Sequence, residues 1–139
     1  MSNKTAAQKQ AAQQAAAAAE AARRARIKAE ITRLGNLRQQ ALTNLNNCEV
    51  YRKQIEEIVA TLVSCEIKTN NLFESYRRNY NVGGQIRDDG RIDTIKDKTI
   101  DIRNNLTNVV LPIIQRRINE INANITQFDN DITRLRNSL

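Results

Sequence analysis

Residues 106–139 read LTNVVLPIIQRRINEINANITQFDNDITRLRNSL. Within this stretch Ile114, Ile118, Ile121, Ile125, Phe128, Ile132, Leu135 and Leu139 recur at steps of four and three. That spacing places all of them on one narrow stripe of an α-helix. The residues between them, including Gln115, Arg116, Arg117, Glu120, Asn124 and Asp129, are polar. A stripe this narrow is covered only by another helix of similar length lying along it.

The same pattern appears earlier. From Ile27 the seam runs Ile27, Ile31, Leu34, Ala41, Leu45, Cys48, Ile55, Val59, Leu62, Thr69, Leu72 and Tyr76. Leu37, Leu42, Tyr51, Ile58, Cys65 and Phe73 widen it on the flanks, and Arg38 and Arg52 occupy seam slots. A long arginine can lay its stem along such a seam and send its head to water. Gly35 sits inside the helix, where it costs about 1 kcal/mol against Ala unless it serves a close approach or a bend.

Between the two stripes, residues 81–91 hold three of the four glycines. Gly83 and Gly84 are read as the end of the first helix, and Asp89-Gly90 as a second turn. Asp93 is a good cap for the next helix, whose seam is expected through Ile92, Ile95, Thr99, Ile102, Leu106, Val109 or Val110, and Ile113. There the phase slips by one residue, onto the path Leu106, Val110, Ile114, Ile118. A slip of this kind locally unwinds a coiled coil. Pro112 lies at the slip and cannot donate to the carbonyl of Asn108, so a kink is expected there.

The expected fold is therefore all-α: an antiparallel two-helix, coiled-coil-like hairpin over 27–139. Its parts are a helix over 27–80, a loop over 81–91 and a helix over 92–137 kinked near Pro112. Counting back from that loop puts Leu139 opposite roughly Arg33–Asn36. Residues 1–26, rich in Ala and Gln, form a helical or frayed extension by propensity alone.

Composition narrows the functional classes. One Pro, no Trp and 4% aromatic residues suit long helices better than a sheet. With no His, Ser–His and Cys–His nucleophiles and His-metal sites are excluded. Gly83-Gly84 is not followed by Lys-Ser or Lys-Thr, so there is no phosphate loop. Neither Glu56-Glu57 nor Asp88-Asp89 has an evident pocket. The reading is a non-enzyme with no cofactor, metal or small-molecule substrate. Cys48 and Cys65 are too far apart on one helix for a disulfide, and both are expected to pack in the seam.

No run is long and apolar enough to span a membrane, and the N-terminus lacks the apolar middle of a secretory signal. The expected place is the cytoplasm, with any export using no cleaved leader. The formal charge of +7 leaves open a nucleic acid or an anionic surface as the target of Arg23, Arg24, Arg26 and Lys28.

A hairpin leaves part of each stripe uncovered, and large apolar faces mark association. A helical partner or a second copy is therefore expected along Leu45, Ile55, Leu62, Phe73, Ile114, Ile118, Ile121, Ile125, Phe128, Ile132 and Leu135. The search begins at Ile114–Leu135 and the facing first half of the long helix.

The seam from Tyr51 to Cys65, the central Val82-Gly83-Gly84 and the closing Ile118–Leu135 repeat resemble the small helical-hairpin proteins of the bacterial type VII secretion system. Over residues 27–139 the chain is most similar to the YwqH-like proteins encoded beside LXG toxins in Gram-positive bacteria. Val82 or Asn81 stands where the WXG-type proteins carry Trp, and no Tyr follows Tyr80 to begin their C-terminal export signal. The resemblance implies an accessory role: a targeting factor or chaperone that binds the helical N-terminal domain of an LXG toxin.

Overall fold

A computed structural model describes residues 5–79 and 85–139, with side chains over 5–76 and 90–139. Among these residues there are helices and no strands. Helix α1 spans Ala6–Asn79 and α2 spans Gln85–Asn105. A π-helical segment follows at Leu106–Val110, and α3 spans Leu111–Asn137. Thr5 caps α1 reciprocally: its Oγ1 accepts from Gln8 N–H, and Gln8 Oε1 accepts from Thr5 N–H. This is a capping box, which satisfies two otherwise unpaired donors of the first turn.

The chain divides into two compact units, residues 1–44 with 121–139, and residues 45–120. In the first, the early part of α1 pairs antiparallel with α3. Arg23 Nη1 donates to Ser138 O at 3.0 Å, and Arg38 Nε donates to Asp129 Oδ1 at 2.6 Å. Leu34, Ile121 and Ile132 are buried between them. Each such side chain contributes about 1.5–3 kcal/mol by leaving water. In the second unit, the later part of α1 pairs antiparallel with α2 and the start of α3. Arg103 Nε donates to Glu66 Oε1 at 2.7 Å, and Arg52 Nη1 donates to Gln115 Oε1 at 3.0 Å.

Three expectations are corrected. Gly90 lies inside α2 without a positive φ, so Asp89-Gly90 is helix and not turn. Asp and Gly are poor helix formers, but that preference is weak and tertiary context routinely overrides it. Gly83 and Gly84 fall outside the described residues. With α1 ending at Asn79 and α2 starting at Gln85, fewer residues separate the helices than the sequence reading allowed. Accordingly Ser138, and Leu139 beside it, meet α1 near Arg23, about three turns before Arg33–Asn36.

The seam itself is rotated in two places. Leu72 is 59% exposed and Phe73 is half-buried in its stead. On α2, Ile95 and Ile102 are 58% and 53% exposed, whereas Lys96 and Arg103 are half-buried. Ile92, Thr99 and Leu106 are common to the expected and the observed seam. Their helix has turned toward Arg103, which brings its guanidinium onto Glu66. Cys65 is exposed and Cys48 half-buried, both as free thiols, so only Cys48 packs in the seam.

The phase slip near Pro112 is realised as the π segment. Leu111 N–H donates to the carbonyl of Leu106, five residues back. A turn with one extra residue rotates the downstream stripe by one position. Leu106, Val110 and Ile114 accordingly turn inward and lead to buried Ile118, while Val109 and Ile113 stay about half exposed. Pro112 lies immediately after this widened turn, one residue into α3.

Candidate helical docking surface

The eleven residues expected at a partner interface lie on the inner seam. Ile118, Ile121 and Ile132 are buried, and Leu45, Ile55, Leu62, Phe73, Ile114, Ile125, Phe128 and Leu135 are half-buried. Within each unit the facing helix already takes up much of their apolar surface.

The exposed apolar surface lies elsewhere. Val50, Tyr51, Ile58, Val63, Ile67, Leu72, Ile95, Ile102, Val109 and Ile113 are each more than a third exposed, and all fall within residues 45–120. In the other unit only terminal Leu139 is comparable among the described residues. An exposed leucine or isoleucine alone is ordinary; a contiguous set of them marks a binding surface.

Six of the ten fall on two stripes that also take in exposed Cys65. Tyr51, Ile58, Cys65 and Leu72 are separated by steps of seven, and so are Ile95, Ile102 and Val109. Seven residues are nearly two helical turns, so each set forms a straight stripe. Every member comes immediately before a seam residue: Arg52, Val59, Glu66 and Phe73 on α1, then Lys96, Arg103 and Val110 on the facing strand of helix. A right-handed helix turns clockwise going away from the viewer and counterclockwise coming toward it. In an antiparallel pair the residues just before the seam therefore fall on the same side of both helices. The two stripes form one flank.

The opposite flank is chemically different. It is formed by the residues just after the alternate seam positions: Glu49, Glu56, Val63 and Asn70 on α1, with Asp93, Ile100 and Thr107 facing them. Sequence reading had picked out Tyr51, Ile58 and Cys65 as apolar flanks, with Val109 an alternative to Val110 in the seam. It missed Leu72, Ile95 and Ile102, because apolar residues were assigned inward by type. Step-of-seven spacing beside an ion pair in the seam is the signal that separates the two.

The first unit shows little that could serve chemistry or anion binding. Arg23 and Arg24 are paired to Glu20, and Arg33 to Glu30. Hydrogen bonds from Arg23 and then Arg24 hold the Glu20 carboxyl down at about 2, and Arg33 lowers that of Glu30. Arg23, Arg24 and Arg33 thus already have acidic partners on the same helix. No group of His, Cys, Asp or Glu that could hold a metal is present among the described residues. The surface depressions along α1 are open to solvent. One, beside Ile58, is lined by Gln54, Glu57, Thr61 and Leu62 of α1. Among the described residues no helix is long and apolar enough to cross a membrane.

Comparison with protein-family models, with curated proteins and with solved structures finds no match to the chain.

Proposed function

We propose that this protein is an accessory factor or chaperone of a type VII secretion system. In this reading it is a helical hairpin, lengthened by its Ala-rich N-terminal segment, that receives the helical N-terminal domain of an LXG toxin. The observation that carries helical docking is the apolar flank of Tyr51, Ile58, Cys65 and Leu72 with Ile95, Ile102 and Val109. A partner helix laid along it completes a bundle of helices, the usual way such stripes are covered. The assignment to type VII secretion rests on the resemblance of the Tyr51–Cys65 seam and the Ile118–Leu135 repeat. The protein has no reaction to perform: it works by covering apolar surface on its partner, in the cytoplasm before export.

Co-expression with the toxin domain encoded beside it tests this. A stable complex is expected with the native chain and is lost with Ile58→Asp or Ile102→Asp, which place a charge on the flank without touching the buried seam. Clean separation of the two native proteins in mild buffer would sink the proposal.

One observation favours a second reading. Residues 45–120 hold twelve Lys and Arg against eleven Asp and Glu, so six of the seven excess positive charges belong to the other unit. A basic surface of that kind would bind an anionic polymer or membrane through Arg26 and Lys28, and such binding falls steeply with salt. Binding that is undetectable at low salt removes this reading.

A further inference from the structure

We propose that the apolar flank of residues 45–120 takes a single amphipathic helix whose own apolar stripe is bordered by Asp and Glu. This names the chemistry of the partner in the proposed function, and it rests on that reading's use of the flank. Three observations carry it.

The first is the shape of the flank. The Glu66–Arg103 hydrogen bond fixes the register of the two helices. Counting from it, Ile95 is level with Glu74 and Val109 with Ala60. The two stripes therefore run side by side for about 20 Å of helix. Packed helices lie about 8–10 Å apart, and a third helix nests in the groove between them. The groove is one helix wide and about four turns long.

The second is the charge of its borders. Lys68 comes three residues after Cys65 and four before Leu72, and Lys98 three after Ile95 and four before Ile102. That spacing sets each lysine beside its stripe, on the edge away from the seam. In the same register the two lysines stand on either side of the groove, within about one turn of each other along the axis. Both are exposed, and neither belongs to the ion pairs described in this unit, which use Arg52, Arg103 and Arg117. The other border positions, Gln54, Thr61 and Asn105, carry no charge, and Glu57 and Asp101 lie further round the helices. A helix in the groove thus meets positive charge on both sides, the arrangement by which bordering charges select a coiled-coil partner.

The third is the opposite flank. Glu49, Glu56 and Asp93 stand there, and like charges brought together repel. An acid-bordered helix is therefore directed to one side of the helix pair. An anionic lipid surface fits less well. It calls for about four to eight Lys or Arg together, whereas residues 45–120 are nearly neutral.

Two synthetic helical peptides of about four turns serve as probes. They share one apolar heptad pattern and carry either Glu or Lys at every bordering position. Titrated into the full chain at low salt, the Glu-bordered peptide should bind about tenfold more tightly than the Lys-bordered one. It should also slow alkylation of Cys65, exposed within the flank, and leave Cys48 unchanged. The preference should shrink as salt rises. Lys68→Glu combined with Lys98→Glu, both at exposed positions, should keep native helicity and reverse the preference. Equal binding of the two peptides, binding of neither, or a preference that survives the double variant overturns the proposal. So does adsorption to phosphatidylglycerol vesicles that the double variant abolishes while the peptides show no preference, which gives the flank to a lipid surface. Capture of the toxin domain without any peptide preference removes only the acidic border; a clear preference without capture removes only the secretion role.

Discussion

Arg103 and Glu66 form the least exposed ion pair among the described residues, with Nε to Oε1 at 2.7 Å and side chains 29% and 14% exposed. It sits in the seam of residues 45–120, where the sequence reading expected neither residue. A paired charge in a seam selects one rotation and register over its neighbours. Here it turns Arg103 inward and leaves Ile102 and Ile95 outside. The apolar flank and the ion pair are thus two consequences of one helix rotation.

That link is measurable. A double-mutant cycle with Glu66→Ala and Arg103→Ala should give a coupling of at least about 1 kcal/mol in chemical unfolding, because the pair is partly desolvated. The more exposed pair Arg38–Asp129 should give less, in the range of about 0.2–1 kcal/mol. Equal and negligible couplings would separate the flank from the ion pair.

Gly35 and Gly90 both lie inside helices, and a methyl group added to either meets nothing within 4 Å. Gly35→Ala and Gly90→Ala should each stabilise the chain by about 0.5–1 kcal/mol. A loss of stability on Gly90→Ala would restore the turn that Asp89-Gly90 suggested.

The π segment makes a sharper demand. Deleting exposed Val109 removes the extra residue of the wide turn while Leu106 and Ile114 can still face inward. Thermal unfolding followed by circular dichroism should show that this deletion is tolerated. Deleting Asn124, between buried Ile121 and half-buried Ile125, rotates the rest of α3 by about 100° and should destabilise strongly. Equal damage from the two deletions contradicts the account of the slip.

Glu20 predicts a pH dependence local to the N-terminal part of α1. Its carboxyl is lowered to about 2 by hydrogen bonds from Arg23 and Arg24. A depressed carboxyl contributes stability above the ordinary carboxylate range and loses it as pH falls through about 2. Carboxyl NMR should show Glu20 titrating well below the other glutamates in low salt, with the gap narrowing as salt is added. A midpoint in the usual range would mean the arginine contacts are not populated in solution.

The helices and their inner stripes were legible because steps of three and four are a property of local order. The Ile114–Leu135 stripe and the one-residue slip at Pro112 both carry into the structure. The seam around residues 92–106 was not legible, because Ile92, Thr99 and Leu106 are common to two rotations. Choosing between them needs Glu66, thirty-seven residues away from Arg103. The same non-local choice hid the flank. Turn chemistry misled at Gly90, which is helical because a propensity of about 1 kcal/mol is a weak guide by itself.

On the proposed function, the flank of residues 45–120, and not the inner seam, receives the toxin's helical domain. Calorimetric titration of the toxin's N-terminal domain into the native chain, Ile58→Asp and Ile121→Asp tests it, with the helicity of each measured alongside. Ile121 is 3% exposed and Ile58 is 50% exposed. Ile58→Asp should keep native helicity and stability and lose at least about tenfold in affinity, which is 1.4 kcal/mol. Ile121→Asp should lose stability first, by several kcal/mol, because it buries an unpaired charge. Native affinity in a fully folded Ile58→Asp protein would contradict the account.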